Sequence, residues 1–147
     1  MKIALIVPCL YKDIKTNISK INEFISEACL NGADFILLPE ASLTGLINND
    51  VYDHDINIAI SIDNKIITDF CNKAKKNNIW LCFGFLENDC GCIYDSAVLI
   101  NPIGEKVIHY RRINPQWRAK NLPLNQYSEG VEVKSAITPF GKTAILI

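Results

Sequence analysis

Glu40 is the residue whose type and position most directly indicate chemistry in this chain. It follows four consecutive apolar residues, Phe35 to Leu38, and then Pro39. Such a run is typical of a buried strand that ends at a turn, and α/β sheets place their functional groups at the carboxyl ends of strands. A carboxylate there could act as a general base. On this segment alone, a glutamate that only caps a turn is the alternative.

Candidate nucleophiles come from six cysteines, at positions 9, 29, 71, 82, 90 and 92. Cys9 follows the first apolar run, so it belongs on the same rim of the sheet as Glu40, and it alone has a geometric argument. The cysteines at 29, 71 and 82 fit helix or strand core positions, where cysteine behaves as a small hydrophobe. Cys90 and Cys92 flank a glycine and either bind a soft metal or only form a turn. We predict no metal and no cofactor, and no phosphate-binding glycine motif is present.

The elements that must position these groups alternate between strands and helices. Apolar runs predict strands over residues 2–7, 34–39 and 79–85, the first of them central in its sheet. Helical periodicity predicts a helix over 17–31, capped by Thr16 or Asn17, and a second helix capped by Asp63. Turn signals separate further strands over 93–100, 105–110, 132–137 and 143–147.

Two segments do not follow this pattern. Residues 46–62 have no assignable period, and residues 113–130 are predicted to form a long loop of the kind that often carries function. The element order as a whole predicts an α/β fold with a mixed sheet, in a single domain over residues 1–147.

The composition excludes several classes of partner. The chain has 147 residues, 49% hydrophobic and 21% charged, with a formal net charge of −1. Without a basic surplus there is no electrostatic reason to expect nucleic acid or an anionic membrane, and no apolar run reaches the length of a membrane span. The irregular cysteine spacing indicates reduced thiols in a cytoplasmic protein.

Several sequence blocks, in order, resemble the carbon–nitrogen hydrolase family, the nitrilase and amidase superfamily. The blocks are Asn31-Gly32-Ala33-Asp34, Leu37 to Gly45, Tyr94 to Glu105, Tyr110 to Pro115 and Phe140 to Ile147. The resemblance runs over essentially the whole chain. It implies the N-terminal half of the family's four-layer αββα sandwich, in which two sheets pack face to face with helices outside.

The resemblance also implies a mechanism. A glutamate takes the proton of a cysteine thiol, the thiolate attacks a nitrile or amide carbon, and a lysine stabilises the developing charge. Water then hydrolyses the thioester. Glu40 matches the base, and Arg112 occupies the lysine position. The position of the family's second glutamate falls on or near Lys120, and the cysteine would follow Ile147.

Two interpretations of Arg112 stay open. It keeps the positive charge and could stabilise an oxyanion, although its planar guanidinium differs from a compact ammonium. Alternatively, it only pairs with Glu40. We predict a hydrolase-family chain that is inactive as this polypeptide, either a piece of a longer enzyme for small amides or nitriles or a remnant that acts as a binding module. We also predict a homo-oligomer in which two copies pack their sheets together.

Overall fold

The computed structural model describes residues 2–45, 51–113 and 121–147. In chain order the elements are β1 (Ile3–Leu5), α1 (Ile14–Leu30), β2 (Phe35–Leu37), α2 (Tyr52–Ile58), α3 (Lys65–Asn77), β3 (Trp80–Asp89), β4 (Cys92–Ile100), β5 (Lys106–Arg111), β6 (Ser135–Thr138) and β7 (Gly141–Ala144). The predicted α/β class with a mixed sheet is confirmed. Strands β1, β2 and β3 are parallel, whereas β4 and β5 return antiparallel.

The five-stranded sheet has the order β1-β2-β3-β4-β5, and α1 and α3 cover one of its faces. Each helix buries one stripe, with Ile21 and Ile25 from α1 and Ile67, Phe70 and Ala74 from α3. Spacings of three and four residues put these side chains on one side of a helix. They pack against alternate strand residues of the helix-covered face, including Ile36, Leu81, Phe83, Phe85 and Val98.

Among the described residues, the second face of the sheet is covered along β3–β5 and at Phe35 of β2, whose ring centroid lies 5.3 Å from that of Phe140. There the hairpin of β6 and β7 and the residues after it pack on a cluster that contains Cys82, Leu99 and Tyr110. Toward β1 the cover is lost. Leu5, Leu37 and Cys82 lie side by side across three strands, and their exposed fractions are 71%, 39% and 5%.

The prediction that the first strand is central is wrong within the described residues, because β1 pairs with β2 alone and forms the sheet's edge. An apolar run does not distinguish a central strand from an edge strand whose outward side chains are apolar. Ile3 and Leu5 are such side chains, and both are exposed.

Both helix caps differ from the predicted ones. Asp13 caps α1, and its Oδ2 accepts a hydrogen bond from the Thr16 N–H at 2.9 Å. Asn64, rather than Asp63, caps α3 through Oδ1, which accepts from Ile66 N–H at 2.9 Å. A cap must lie two or three positions before the N–H that it binds, and the predictions missed that register by one residue or more.

Three further expectations are settled in part. Residues 46–62 contain α2, which was not predicted, and residues 46–50 lie outside the described part. The strand predicted over 143–147 ends at Ala144, and Ile145 and Ile147 pack on the second face. In the long loop, residues 114–120 are likewise outside the described part. No helix in the described ranges is long and apolar enough to cross a membrane.

Candidate active site

Glu40 follows β2 at the rim of the sheet, where a glycine on β3 allows the two backbones to approach. Leu38 N–H donates to Cys82 O at 2.9 Å, and Gly84 N–H donates to Pro39 O at 3.3 Å. A Cβ on Gly84 would lie 2.6 Å from the nitrogen of Ala41 and 2.8 Å from the Cα of Glu40. Only glycine therefore fits at this position of β3 without a shift of the Glu40 backbone.

The turn after Glu40 is tied to its surroundings by buried polar side chains. Thr44 Oγ1 accepts from Leu86 N–H at 2.9 Å. Asn17 Nδ2 donates to Leu43 O at 3.3 Å, which links the turn to α1. Because these groups are buried and paired, they hold the turn in one position, and Glu40 is presented from a rigid support.

Arg112 joins Glu40 to a second carboxylate. Its Nη1 lies 2.8 Å from Glu40 Oε1 and 3.2 Å from Asp95 Oδ2. Arg112 N–H also donates to the backbone oxygen of Asp95 at 2.8 Å, which extends the β4–β5 ladder by one residue. The structure thus brings the two predicted site residues together and adds Asp95, which the sequence analysis did not identify as a site residue.

Asp95 has an unusual electrostatic environment. Burial, followed by hydrogen bonding to and repulsion by Glu40, raises the pKa of Asp95 to about 7, against the opposing effect of Arg112. Its Oδ1 is buried and has no hydrogen-bond partner among the described residues, and Nε of Arg112 is in the same state. Buried polar atoms are usually paired, so this cluster is incompletely satisfied.

A sequence signal for Asp95 did exist. It lies in the middle of β4, between residues that favour strands, and aspartate is depleted in strands. An aspartate inside an otherwise apolar strand therefore indicates a specific partner, although the sequence does not say on which face that partner lies.

The groove beside Glu40 runs along the second face. It has a volume of about 320 Å³ and is lined mainly by apolar groups, among them Cys82, Gly84 and the last residues, Ile145 to Ile147. Residues 145–147 therefore line the same groove as Glu40. Arg112 and Asp95 are not among the described residues that line it.

All six cysteines are free thiols, and none of them is placed as an activated nucleophile beside Glu40. Burial raises the pKa of the Cys82 thiol to about 12, so it stays protonated at neutral pH. Cys9 is exposed in the connection between β1 and α1, and it does not line the described groove. Lys120 lies outside the described residues.

A second charged cluster, on the helix-covered face, centres on Glu87 of β3. Its side chain is 1% exposed. One oxygen lies 2.6 Å from Ser96 Oγ and 2.7 Å from His109 Nε2, and the other lies 2.7 Å from Arg111 Nη2. Burial raises the pKa of Glu87, but these hydrogen bonds outweigh it and lower the pKa to about 2. The sequence signal for this cluster was the spacing of His109 and Arg111, since residues two apart on a strand share a face.

Cys90 and Cys92 were predicted either to bind a soft metal or only to form a turn, and no group of three or more potential metal ligands comes together in the described ranges. Cys92 Sγ instead lies 3.5 Å from the backbone oxygen of Leu124. Cys90 and Gly91 both have positive φ, of 51° and 92°, as the two central residues of a tight hairpin do. This geometry agrees with the turn interpretation of these cysteines.

The fold and the site together define an α/β protein with a carboxylate–guanidinium cluster at the strand ends of a mixed sheet. Residues 2–147 match the family described as Carbon-nitrogen hydrolase. The chain belongs to the carbon–nitrogen hydrolase family, and the resemblance found in its sequence blocks is confirmed.

Two curated relatives show how much of the family this chain covers. The formamidase of Photorhabdus laumondii is 32% identical over 99 residues, which are 62% of this chain and 29% of that protein. Nitrilase 2 of Arabidopsis thaliana is 24% identical over 153 residues, which cover 94% of this chain and 44% of that protein. The chain spans less than half the length of these relatives.

Solved structures agree on the fold. The NitFhit protein of C. elegans superimposes with a TM-score of 0.78 at 20% identity, over 95% of this chain and 36% of that one. An amidase from Nesterenkonia sp. gives 0.76 at 17% identity, over 99% and 54%. A mutant of the Nesterenkonia amidase carries acrylamide on its active-site cysteine. The prediction of half a nitrilase-superfamily fold is confirmed.

Proposed function

We propose that this chain carries the base-bearing half of a hydrolase site for the carbon–nitrogen bonds of small amides or nitriles, with Glu40 as general base and Arg112 in the place of the family's cation. The single observation behind this proposal is the 2.8 Å contact between Glu40 Oε1 and Arg112 Nη1 at the carboxyl end of β2. The formamidase and nitrilase relatives support the substrate class.

In this proposal Glu40 takes the proton of a cysteine thiol, and the thiolate attacks the substrate carbon. With an amide, Glu40 returns the proton to the substrate nitrogen, the C–N bond breaks, ammonia or an amine leaves and a thioester remains. With a nitrile, the proton goes to the nitrile nitrogen and a thioimidate forms. A fixed cation beside the anion that develops can contribute a factor of about 10²–10³ in rate. Arg112 can supply that charge, but it already contacts both Glu40 and Asp95. Its charge is therefore partly neutralised in the ground state.

We further propose that residues 1–147 alone do not turn over such substrates. The Cys82 thiol, which lines the groove beside Glu40, has its pKa raised to about 12 by burial. Cys9 is exposed and outside the described groove lining. A thiol is reactive as its thiolate, so the protonated Cys82 is not equipped to serve Glu40, and Cys9 does not line the groove that Glu40 lines.

A turnover assay tests both parts of the proposal. The purified chain is offered formamide, acetamide and a small nitrile, alongside Glu40→Gln and the matched control Glu27→Gln, whose side chain is exposed on α1. We expect no turnover from any of the three. Thiol-sensitive turnover that only Glu40→Gln abolishes would contradict inactivity and support the base, whereas turnover indifferent to Glu40→Gln would contradict the base.

The protein as its source produces it provides the second arm. Its intact mass is compared with the 16.5 kDa of this chain, and the same variants are assayed in that form. If a larger form is active, we expect Glu40→Gln to abolish its turnover and Glu27→Gln to leave turnover intact.

Six free thiols also support a reducing, cytoplasmic location, which fractionation of the source cells can test.

A second candidate function is self-association as a binding module. The observation that favours it is the part of the second face that the described residues leave uncovered, where Leu5 is 71% and Val7 84% exposed. Proteins rarely leave apolar strand residues together at a sheet edge. A two-fold contact between two copies would cover both such faces at once.

Sedimentation at micromolar concentration tests the second candidate. We expect a dimer that Leu5→Ser and Val7→Ser weaken. Leu30→Ser is the matched control, because Leu30 is 90% exposed but lies at the end of α1, and it should leave the dimer intact. A monomer that binds no apolar dye contradicts self-association.

A further inference from the structure

Glu40 and Asp95 form an acid pair, a term used here for these two residues only, and they share one cation. Both carboxylates contact the same atom, Arg112 Nη1, at 2.8 Å and 3.2 Å. Among the described residues, Arg112 is the only cation in ion-pair contact with either of them. With both acids ionised the cluster would carry two negative charges against one positive charge.

The two acids differ in their access to water. The side chain of Asp95 is 3% exposed and that of Glu40 is 30% exposed. Removing a carboxylate from water disfavours its charged form. If one of the two acids is neutral, desolvation therefore selects Asp95, and the charge stays on the better solvated Glu40.

The hydrogen bonding of Asp95 Oδ1 indicates the same assignment. Asp95 Oδ1 is buried and receives no hydrogen bond from the described residues. An ionised oxygen in that position would be a buried acceptor without a donor, which is costly. A protonated oxygen is itself a donor and needs an acceptor, and the carboxylate held beside Asp95 by the same Arg112 Nη1 is that of Glu40.

We propose that the acid pair holds a single proton on Asp95, which donates a hydrogen bond to the ionised Glu40 and so makes Asp95 a positioning residue for the base. Asp95, Glu40 and Arg112 then form a neutral cluster. The raised pKa of Asp95, about 7, agrees with this arrangement.

Among the described residues, the charged groups with the largest effects on Asp95 are the other two members of the cluster. Glu40 faces it from the turn after β2, and Arg112 faces it from the end of β5. Its partner across the ladder on β3 is the apolar Leu86.

The consequence for catalysis rests on the proposed function of Glu40. When Glu40 accepts a proton from a thiol, both acids of the pair become neutral, and the charge of Arg112 is no longer compensated. The cluster changes from neutral to positive at the moment when a thiolate and then an oxyanion need a cation nearby. The proton that is transferred thus also releases the charge of Arg112.

A titration without substrate tests the shared proton on the chain itself. The carboxyl carbons of Asp and Glu are labelled with ¹³C, and their shifts are followed with pH in the wild type, Asp95→Asn, Glu40→Gln and the control Asp89→Asn. Asp89 also accepts from an arginine, Arg111, but it belongs to the other cluster. We expect one wild-type carboxyl to keep its proton well above the ordinary range of about 3.9–4.3.

Each variant has a distinct expected result. Asp95→Asn removes the high transition, and Asp89→Asn leaves it unchanged. Glu40→Gln lowers the Asp95 transition by about one to two pH units, because the like charge is gone while Arg112 stays. A Glu40→Gln transition at the wild-type pH means burial alone and overturns the sharing. So does a wild type whose carboxyls all titrate in the ordinary range.

The titration separates this inference from the proposed function. It requires no turnover, so an inactive chain still gives an answer. Conversely, a missing high transition overturns the shared proton and leaves Glu40 as a candidate base. Asp95→Asn and Glu40→Gln remove different members of the pair, so one poorly folded variant does not prevent the test.

Discussion

Arg111 and Arg112 are adjacent in the chain, yet they serve two carboxylate clusters on opposite faces of the same strands. Arg111 contacts Glu87 on the helix-covered face with two nitrogens, Nη2 at 2.7 Å and Nε at 3.1 Å. Arg112 uses the single atom Nη1 for both Glu40 and Asp95, and its Nε has no partner among the described residues. The alternation of side chains along a strand separates the two guanidinium groups.

The difference lies in the ratio of donors to acids. Glu87 is one carboxylate with donors from three side chains, and its pKa is lowered to about 2. Asp95 shares one guanidinium with Glu40, and its pKa is raised to about 7. A saturated carboxylate keeps its charge at all ordinary pH values and acts as an anchor. A carboxyl group whose pKa is raised to about 7, as that of Asp95 is, exchanges its proton near neutral pH, which is the property that acid–base chemistry requires.

Removing the saturated carboxylate should have the largest effect on stability. Glu87→Gln leaves Arg111 without its buried counter-charge and weakens the contact with His109, and breaking a fully buried pair costs about 3–5 kcal/mol. Because both partners are about one-quarter exposed, we expect a loss of about 2–4 kcal/mol. Urea unfolding monitored by Trp fluorescence measures it.

The matched control for Glu87→Gln is Asp89→Asn. Asp89 accepts from the same Arg111 at 2.8 Å, but its side chain is 47% exposed. Exposed pairs contribute about 0.2–1 kcal/mol, so the control should unfold nearly as the wild type does. Equal losses in the two variants would mean that Glu87 is not an anchor.

The two clusters should also change the stability of the fold in opposite directions as the pH rises. Glu87 has a folded pKa of about 2 against an ordinary 4.5, so its contribution is present above pH 4.5 and is lost as the pH falls toward 2. Asp95 has a folded pKa of about 7 against an ordinary 3.8, so the folded state retains a proton that the unfolded state has released. Stability therefore falls as the pH rises from 3.8 to 7.

Asp95→Asn should abolish the fall in stability between pH 3.8 and pH 7 and keep the loss of stability toward pH 2. Relative to the wild type, the variant should gain about 1–3 kcal/mol between pH 4 and pH 7. Glu87→Gln should instead abolish the loss of stability toward pH 2. The control Asp69→Asn, on the exposed surface of α3, should change neither part of the pH dependence. Parallel curves for wild type and Asp95→Asn across this window would contradict the raised pKa of Asp95.

The sequence predicted the positions of Glu40 and Arg112 but not that of Asp95, the second acid of the site. Glu40 follows an apolar run and a proline, so its place at a strand end is a local property. The place of Arg112 came from a resemblance that extends over the chain. Asp95 depends on long-range register: Leu86 faces it, Arg112 pairs with its backbone, and no local pattern contains that information.

The misses in the fold have the same physical origin. The edge position of β1 depends on which strands pair, and the α1 and α3 caps depend on single hydrogen bonds. Helix α2 has seven residues, too few to show a period, and it buries Asp55 against Tyr127, whose hydroxyl lies 2.8 Å from Asp55 Oδ2. Strong apolar periodicity predicted α1, α3 and the sheet because burial alone specifies them.

A substitution at Gly84 should disturb the acid pair through backbone packing, without changing a charge in either cluster. In Gly84→Ala the new Cβ would lie 2.6 Å from Ala41 N and 2.8 Å from Glu40 Cα, so the turn must move. We expect a loss of about 1–2 kcal/mol, within the usual range for overpacking. The ¹³C titration should show a displaced Asp95 transition and an unchanged Glu87. A shift of both acids, or of Glu87 alone, would contradict a local effect on the acid pair.

The smallest expected effect, and the sharpest comparison, comes from replacing each arginine by lysine. Arg111→Lys loses a two-point contact with Glu87 and the stacking of the guanidinium on Tyr94, 3.9 Å from the ring centroid. An ammonium reproduces neither, so we expect a loss of about 1–2 kcal/mol. Arg112→Lys loses no second contact point, and Nε of Arg112 is already unpaired among the described residues. We expect its cost to be below about 0.5 kcal/mol, and urea midpoints measured side by side decide between the two. If Arg112→Lys were the costlier change, Arg112 would be an anchor like Arg111, and the contrast between the two clusters would be lost.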